Sequence, residues 1–477
     1  MSVAVPGLLT GFPTTFRGPV AYPGTAEFVD ARAIYDTRLA QQQPRAIARA
    51  LDIDDVRSLV RYAAERDLSL AIRAGGHGAD SYAMPDDALV LDLSEFKRIA
   101  VEASSGRVRL GAGVLLGEMD TALNNYGLVV PAGTVSTTGV AGLTIGGGVG
   151  YNMRRFGATV DNLISATVVT TDGRLVTASD GANEDLFWAL RGGGGNFGVV
   201  VDLEFQARPM APAVSAGMIP FTYGQAPSVM RALREYMPTA PRDLAVIGAL
   251  TQCPPLPSVP ADLHGQNVLM LIVVYFGPTE QTDRVMGELA ALGSPVAVAV
   301  QPMPWPAANS MLDVIAPYGR RVYNKGGYLS ELSDTAIDIA ISHAATAPPP
   351  TAPPAPGTVQ SFWSFGGAIS EDFAEDSCAF SREGATWFWE VATQWDHQHD
   401  DAKFMTWADS LHAEMRGSLR DNCYINLTTD LGPEWRSGAW GSAAKYQRLI
   451  EAKTKWDPSN MLRHNKNIEP KSDGSAA

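Results

Sequence analysis

The sequence predicts an α+β protein of two domains. Its 477 residues are enough for two domains that each bury a hydrophobic core. Up to residue 207, helix-spaced apolar residues and short alternating runs follow one another, with hairpin turns and glycine-rich loops between them. Beyond residue 207, longer apolar runs predict the strands of one sheet, and amphipathic helices are predicted between them.

The elements of the first part follow from local patterns. Asp54–Arg66 carries apolar residues at helical spacing on one face, which predicts an amphipathic helix. Ile99–Leu110 and Ala166–Val176 are apolar runs interrupted by Ser-Gly and Asp-Gly, pairs that favour the tight turn of a hairpin. Asn183–Leu190 predicts a short helix that leads into a glycine-rich loop.

The second part is predicted to hold a single sheet. Its strands are predicted at Leu244–Leu250, Val268–Phe276, Val296–Val300, Val359–Ile369 and Trp387–Thr393. Thr279–Leu292 and Ser330–Ala344 show helical periodicity. The proline-rich stretch Ala347–Gly357 cannot form a helix or the interior of a sheet, and strand signals resume directly after it. We therefore predict a surface loop inside this domain, and a disordered tail at residues 471–477.

Bulk composition excludes several classes of function. The 37 basic and 51 acidic residues give a net charge of −14, which argues against nucleic acid or an anionic membrane surface as partner. Cys253, Cys378 and Cys423 are widely spaced, which argues against a disulfide framework or a zinc site, so no metal is expected. No basic residue precedes Arg17, and no apolar segment reaches the length of a membrane span. These features predict a cytoplasmic protein.

Three glycine-rich loops dominate the first part of the chain. They lie at Arg73–Gly78, Gly139–Gly150 and Gly192–Gly198, each beside a strand-like run. Glycine accepts positive φ and lets successive N–H groups point into one concavity, which can hold a diphosphate without a cationic side chain. The loops therefore predict a large anionic ligand, and His77 is a reactive group placed beside it.

The same loops resemble those of the FAD-linked oxidases of the vanillyl-alcohol oxidase and berberine bridge enzyme family. Arg73–Gly78 is similar to the loop whose histidine bonds to the 8α-methyl group of the flavin, and Gly139–Gly150 is similar to the diphosphate loop. Arg191–Val200 is similar to the loop beside the flavin ring. Further similar segments follow in the same order: Arg154–Gly157, Asp161-Asn162, Tyr424–Asn426, Tyr446, Lys453–Asn460 and Asn465–Ile468.

This resemblance implies a two-domain FAD-binding fold of the PCMH type. The FAD-binding domain would comprise residues 1–207 and return at residues 426–470. The substrate domain, residues 208–425, would be a mostly antiparallel sheet covered by helices.

The resemblance also assigns residues to the cofactor. It implies FAD held covalently by His77, with one link only, because Val135 stands where some relatives carry a second, cysteinyl link. In the family the double link goes with open, sugar-sized sites, so an oligosaccharide substrate is less expected. The other residues implied to bind the cofactor are Arg73, Gly75, Gly76, Gly78, Thr137, Gly139, Gly142, Gly146, Gly147, Gly148, Gly150, Asp161, Gly198, Val199, Val200, Asn426 and Asn465.

Three residues are implied to act in the reaction. Glu390 lies in an aromatic strand run and aligns with the family's catalytic glutamate, and burial would raise its pKa toward that of a useful general base. Thr138 stands at the family's oxygen-access position, where a β-branched residue goes with oxidases. Tyr424 is predicted to share the face of one strand with Asn426, at the active-site end of the flavin. The segment Tyr323, Lys325 and Tyr328 is a further candidate lining, with packing as the alternative.

The resulting functional prediction is an oxidase that passes a hydride from a small organic substrate to flavin and electrons to O2, giving H2O2. A monomer or homodimer is expected. Three alternatives stay open at this point: a flavin-dependent dehydrogenase or oxygenating biosynthetic enzyme, an NAD(P)-dependent Rossmann enzyme suggested by the glycines at 146–150, and a non-catalytic binding protein. The Rossmann alternative is disfavoured because Tyr151–Gly157, where a helix should begin, is rich in arginine and ends in glycine. Asp161 also follows the glycines too early to be the acidic residue of that fold.

Overall fold

The computed structural model describes residues 9–255, 259–351 and 357–471. It confirms the α+β class and divides the described strands among four sheets. The predicted disordered tail falls almost wholly outside the described residues, as does the middle of the proline-rich loop. None of the described helices is both long and apolar enough to span a membrane.

Three sheets lie in the first part of the chain. A four-stranded sheet is mainly parallel, with strand order β1-β2-β4-β3: β1 (Val20–Ala21), β2 (Ala46–Arg49), β3 (Leu70–Arg73) and β4 (Leu89–Asp92). A five-stranded antiparallel sheet has the order β5-β6-β10-β8-β9: β5 (Ile99–Glu102), β6 (Arg107–Gly111), β8 (Leu163–Val169), β9 (Leu175–Ser179) and β10 (Val199–Gln206). A short pair joins β7 (Leu128–Val129) to β11 (Arg208–Pro209).

The fourth sheet has seven strands, and every described pairing in it is antiparallel. Its order is β15-β12-β14-β13-β17-β18-β16. The strands are β12 (Ala213–Thr222), β13 (Leu244–Gln252), β14 (Asn267–Tyr275), β15 (Ala299–Pro304), β16 (Arg321–Leu329), β17 (Thr358–Ser364) and β18 (Trp387–Trp395). β16, which precedes the proline-rich stretch in the chain, and β17, which follows it, both belong to this sheet.

Fourteen α-helices occur among the described residues. They are α1 (Ala26–Ala31), α2 (Ile53–Glu65), α3 (Leu116–Asn124), α4 (Val140–Ile145), α5 (Met153–Phe156), α6 (Glu184–Leu190), α7 (Ala226–Tyr236), α8 (Thr282–Ala290), α9 (Trp305–Asn309), α10 (Asp334–Ala344), α11 (Ala368–Glu371), α12 (Asp401–Met415), α13 (Pro433–Ala439) and α14 (Ala443–Trp456). Helix α2 begins where the Asp52 carboxylate accepts the backbone N–H groups of Asp54 and Asp55, which satisfies two free donors of its first turn.

Several predicted elements are confirmed and others need correction. The helices α2 and α6, both hairpins and the strands β13, β14 and β18 lie where the sequence placed them. The strand predicted at Val296–Val300 is mostly wrong, since β15 starts only at Ala299 and continues through two prolines, which an edge strand tolerates. The strand predicted to reach Ile369 ends at Ser364, because Gly366 and Gly367 take positive φ and turn the chain into α11.

The seven-stranded sheet has two different faces. Helices α7, α8, α10 and α12 pack their apolar sides against one face, together with every second residue of the strands. The other face packs against residues 149–160 of the first part and closes a shared apolar cluster. Side chains that alternate along these strands therefore point either to the helices or to the glycine-rich loops. The domain boundaries at residues 207 and 425 stay predictions.

Buried polar side chains fasten the two parts together. Asp120 on α3 is 1% exposed and accepts hydrogen bonds from Trp305 Nε1 at 2.9 Å and Asn309 Nδ2 at 2.7 Å, both on α9. Both partners are uncharged. Burial raises the pKa of the Asp120 carboxyl from 3.8 to about 7, and the two hydrogen bonds lower it only in part. The carboxyl is therefore largely protonated below neutral pH.

Asp120→Asn should remove a pH-dependent loss of stability. A carboxyl whose folded pKa is raised stabilises the fold fully below its unfolded pKa, and that contribution is lost as pH rises through about 7. Relative to the variant, the parent's free energy of unfolding should fall by roughly 2–4 kcal/mol between pH 4 and pH 8. Chemical unfolding across this range measures it, with Asp283→Asn on an exposed helix surface as control. Parallel pH profiles for parent and Asp120→Asn would contradict the assignment.

Candidate functional site

A cavity of about 380 Å³ lies between the glycine-rich loops and the loop-facing side of the seven-stranded sheet. Many of the residues predicted for the cofactor and the reaction line it: Gly75, Gly76, His77, Gly78, Thr138, Gly139, Gly142, Gly198, Val200, Glu390, Tyr424, Asn426 and Asn465. Arg73, Thr137, Gly146, Gly147, Gly148, Gly150, Asp161 and Val199 are not among the lining residues.

The first and second loops touch through backbone alone. A Cβ atom on Gly75 would lie 2.4 Å from the nitrogen of Gly139, and one on Gly139 would lie 2.6 Å from the nitrogen of Gly75. No side chain fits at either position. Arg73, at the end of β3, does not reach the cavity: it donates to Asp92 at 2.9 Å and to the Ala33 carbonyl at 3.0 Å, which fixes the start of the first loop.

His77 is held between two tyrosines that the sequence did not predict for the site. Its ring stacks on Tyr35 with centroids 4.0 Å apart and meets the edge of Tyr318 at 5.6 Å. The Tyr318 hydroxyl donates to the Gly75 carbonyl, and the Tyr35 N–H donates to the Gly76 carbonyl at 2.9 Å. His77 Nε2 is buried without a hydrogen-bond partner among the described residues. Burial lowers the pKa of the imidazole to about 4, so the ring is neutral at physiological pH.

The glycines of the second loop that line the cavity, Gly139 and Gly142, lie in its first half. Gly139 and Gly142 lie at the start of α4, and a Cβ on Gly142 would meet no protein atom within 4 Å. The glycines at 146–150 were also predicted to hold the cofactor; they do not line the cavity, and their assignment stays a prediction. Each of these glycines packs so closely against another part of the protein that a Cβ atom would clash with it. The groups it would meet are Asn426 at Gly146, Phe380 at Gly147, Thr159 at Gly148 and the Ala132 carbonyl at Gly150.

The third loop is built onto the second and fixed by the end of the chain. The N–H groups of Gly192 and Gly194 both donate to the Ile145 carbonyl, at 3.0 and 2.9 Å. Asn465 Nδ2 donates to the Gly195 carbonyl at 3.1 Å. Lys453, fully buried, donates to the Asn196 carbonyl at 3.1 Å. These contacts explain why the C-terminal segment matters to the site.

Three more residues that were predicted to bind the cofactor, Asp161, Val199 and Thr137, do not line the cavity. Both oxygens of Asp161 are taken by Arg382, at 2.6 and 2.7 Å, in a buried ion pair between the two parts of the chain. Val199 points into the core on β10, whereas its neighbour Val200 faces the cavity. Thr137 is not among the lining residues, and its buried hydroxyl has no partner among the described residues.

Glu390 stands on the loop-facing side of β18. It is 8% exposed, and the register places Gly326 on one side of it and Ser361 on the other. Trp363 Nε1 donates to Ser361 Oγ at 2.8 Å, so the serine proton is free to reach Glu390 Oε2 at 3.3 Å. Burial raises the pKa of Glu390 to about 8, and the serine hydrogen bond lowers it slightly. A carboxylate with such a pKa suits proton transfer near neutral pH.

Tyr424 and Asn426 meet at the cavity, but not on a strand. Residues Ile425–Leu427 form a 3₁₀ turn, which corrects the predicted extended segment. The turn brings Asn426 Nδ2 within 3.0 Å of the Tyr424 oxygen, which also accepts the Val149 N–H at 3.3 Å. With two donors on its oxygen, the Tyr424 hydroxyl is free to donate its own proton. Burial raises the pKa of Tyr424 to about 12, so it stays protonated.

For the candidate segment on β16, the strand register decides in favour of packing over cavity lining. Tyr323 and Lys325 point to the helix-covered face, where the Tyr323 hydroxyl donates to Asp409 at 2.8 Å and Lys325 pairs with the same carboxylate at 3.0 Å. Tyr328 is buried between Phe365 and Phe388. The cavity residue of this strand is Asn324, which was not among the residues predicted for the site. An asparagine in a strand does not by itself indicate a binding site. Its position at the cavity could not be predicted, because the strand register decides which side chains face the loops.

The residues present fit an FAD cofactor. Glycines of all three loops line the cavity, and no lysine or arginine lines it among the described residues. Backbone N–H groups are thus the local donors for an anionic diphosphate. The orphaned nitrogen of His77 lies at the same cavity. The glycines at 146–150 are followed by the four-residue α5 and by β8 of an antiparallel sheet, which contradicts the Rossmann alternative.

Comparison with known proteins agrees with this site. A family model described as an FAD binding domain matches residues 44–179, and one described as berberine and berberine like matches residues 423–469. An FAD-linked oxidoreductase of Dictyostelium discoideum is 28% identical over 436 residues, covering 90% of this chain and 89% of that protein. The (R)-6-hydroxynicotine oxidase of Paenarthrobacter nicotinovorans is 28% identical over 480 residues, covering 96% and 98%.

The solved structures agree as well. The crystal structure of 6-hydroxy-D-nicotine oxidase from Arthrobacter nicotinovorans superposes with a TM-score of 0.83 at 25% identity, covering 96% of this chain and 99% of that one. The two matched family segments contain the first and second loops and the C-terminal support of the third. The chain is therefore an FAD-linked oxidoreductase that is similar, in its FAD binding domain and in its berberine-like C-terminal segment, to the vanillyl-alcohol oxidase and berberine bridge enzyme family.

Proposed function

We propose that this protein is an oxidase that holds FAD covalently through His77 and oxidises a small organic substrate, an alcohol, amine or secondary metabolite. When bound, FAD supplies the hydride acceptor and the means of passing electrons to O2, with H2O2 as product. The observation that carries the proposal is a buried carboxylate, Glu390, opening into the same cavity as His77. The naming of relatives as oxidases supports the same reaction class.

His77 is suited to a permanent bond because its surroundings keep it neutral and fixed. A neutral imidazole has a free electron pair, and burial favours that form over the cation. The rings of Tyr35 and Tyr318 restrict its orientation, so little conformational freedom is lost when it bonds. Val135, at the position of the second link in doubly linked relatives, lines the cavity with an apolar side chain. A single link is therefore proposed.

Glu390 is proposed as the general base. Its deprotonated form would take a proton from a substrate O–H, N–H or activated C–H, while Ser361 stabilises the carboxylate by donating to it. The opposite neighbour, Gly326, leaves the carboxylate uncovered on that side. The free proton of Tyr424 would orient the substrate by hydrogen bonding.

Thr138 is proposed to keep a path for O2. It lines the cavity directly before the Gly75–Gly139 contact, so its backbone position is fixed. A threonine there is smaller than the leucine that goes with dehydrogenases in the family. The dehydrogenase and oxygenating alternatives are separated from the oxidase by measuring O2 consumed and H2O2 formed per substrate. We propose a cytoplasmic monomer or homodimer whose partners are substrate and O2, without nucleic acid or membrane.

His77→Ala should release the cofactor on denaturation. The parent should stay yellow after acid precipitation because a bond between carbon and imidazole nitrogen survives unfolding. The variant should still bind FAD through the glycine-rich loops but lose it to the supernatant. Absorbance of pellet and supernatant measures the distribution, and mass spectrometry of the peptide containing His77 identifies the link. Flavin that leaves the parent protein on precipitation would refute the covalent assignment.

Thr138→Leu should slow reoxidation of the reduced flavin by O2 while leaving anaerobic reduction by substrate nearly intact. The reason is steric, because leucine would fill space that dioxygen needs. Stopped-flow mixing of reduced protein with oxygenated buffer measures the rate. Thr138→Val, which keeps the branched shape and removes the hydroxyl, is the matched control and should behave like the parent. Equal reoxidation rates in the leucine variant and the parent would exclude Thr138 from oxygen access.

Glu390→Gln should slow substrate-dependent flavin bleaching by about 10²–10⁴-fold. The amide has nearly the same shape but cannot accept a proton. In the parent, bleaching should become faster as pH rises through about 8, because the deprotonated carboxylate is the active form. The variant should lose this pH dependence while flavin content and reoxidation stay unchanged. Rates within a few-fold of the parent would make Glu390 a structural carboxylate.

A further inference from the structure

Two amide side chains face the cavity with unused hydrogen-bonding groups. Asn324 on β16 is 6% exposed, and neither end of its amide is paired among the described residues. Gln394 on β18 is 4% exposed; its Nε2 donates to the Ile315 carbonyl at 2.6 Å, while its Oε1 has no partner among the same residues. Leaving a buried polar group unpaired costs about 1–3 kcal/mol. These unpaired groups therefore indicate a ligand that forms hydrogen bonds with them.

The strand register groups these amides with Glu390. Asn324 lies opposite Ala392, and Glu390 and Gln394 are the residues two positions before and after Ala392 on the same strand. Asn324 is therefore the diagonal neighbour of both, at roughly 7–8 Å between Cα atoms. Because side chains alternate along a strand, all three point to the loop-facing side. They form a triangle of polar groups around a small alanine.

The wall around this triangle is apolar. The sheet and the segment before β16 contribute Ile247, Ala249, Ile272, Leu312, Ile315, Ala316, Val359 and Ala392 to the lining. Glu390 is the only acidic lining residue, and no lysine or arginine lines the cavity, among the described parts of the chain. A carboxylate or phosphate on the substrate would be buried beside Glu390 without a counter-charge. The many hydroxyl groups of a sugar would face aliphatic side chains without partners.

We propose that Asn324 and Gln394 are specificity-determining residues, and that the substrates are uncharged, largely apolar compounds with two polar groups. One group gives its proton to Glu390, which rests on the proposed function. The other is a neutral group that both donates and accepts hydrogen bonds, such as an amide or lactam, and it pairs with the free amides of Asn324 and Gln394. A site with buried polar groups rejects analogues that leave those groups unpaired.

Binding of three phenols to the flavin-loaded protein tests this directly. The probes are 4-hydroxybenzamide, 4-methylphenol and 4-hydroxybenzoate, and the perturbation of flavin absorbance gives each Kd without any turnover. The benzamide should bind about tenfold or more tightly than the other two, because it alone pairs with both amides without burying a charge. Asn324→Leu and Gln394→Met, which keep side-chain size, should each reduce this preference at least several-fold while 4-methylphenol keeps its affinity.

The control is Asn267→Leu, the same change on β14 at a position where the amide donates to Ala344 outside the cavity. It should leave all three affinities unchanged. The proposal is overturned if 4-hydroxybenzoate binds most tightly, if no probe perturbs the parent's spectrum, or if the cavity variants weaken all probes equally. Parent protein that prefers the benzamide, but whose flavin is bleached by an oxidisable alcohol or amine without H2O2 being formed on reoxidation in air, would refute the proposed oxidase function and leave this inference standing.

Discussion

The contact between Gly75 and Gly139 is the constraint on which the site depends. Two backbones approach so closely that neither residue can carry a Cβ atom, and this joins the end of a parallel strand to the start of helix α4. His77 follows Gly75 by two residues and Thr138 precedes Gly139 by one, so a single contact sets the position of both side chains at the cavity. The third loop then docks on the last carbonyl of that helix. Glycine acts here through close approach rather than through unusual dihedral angles.

The two walls of the cavity, one formed by the glycine-rich loops and the other by the seven-stranded sheet, differ in chemical character. The loop wall offers backbone and small residues, which suits a cofactor that is held by many weak donors. The sheet wall is aliphatic apart from a few polar side chains around Glu390, so the carboxylate is poorly solvated and its pKa rises. The helices on the far face of the sheet keep these strands rigid, and the register between strands fixes which side chains become neighbours. The proposed base and the amides proposed to select the substrate therefore belong to one surface that helices cover from behind.

Much of this could be predicted from the sequence, and what could not be predicted depends on contacts between segments that are distant in sequence. The glycine-rich loops, His77 and Glu390 stand out because each is a residue type that is costly or reactive in its local setting. Asp161 and the glycines at 146–150 match the family pattern equally well, yet the structure surrounds them with protein. A sequence motif shows that a residue type is required at a position. It does not show whether the residue contacts a ligand or a neighbouring segment of the protein. Tyr35, Tyr318 and Asn324 could not be predicted, because contacts between distant segments bring them to the cavity.

The support of the third loop by Lys453 has a consequence for how the protein matures. The lysine and the Asn196 carbonyl it binds are 257 positions apart, and the whole seven-stranded sheet is synthesised between them. A nascent chain leaves the ribosome from its N-terminal end, so the first two loops emerge long before the residues that complete the pocket. Contacts of such high sequence separation form slowly because a large loop must close first. Cofactor loading is therefore expected to follow release of the finished chain rather than to accompany its synthesis.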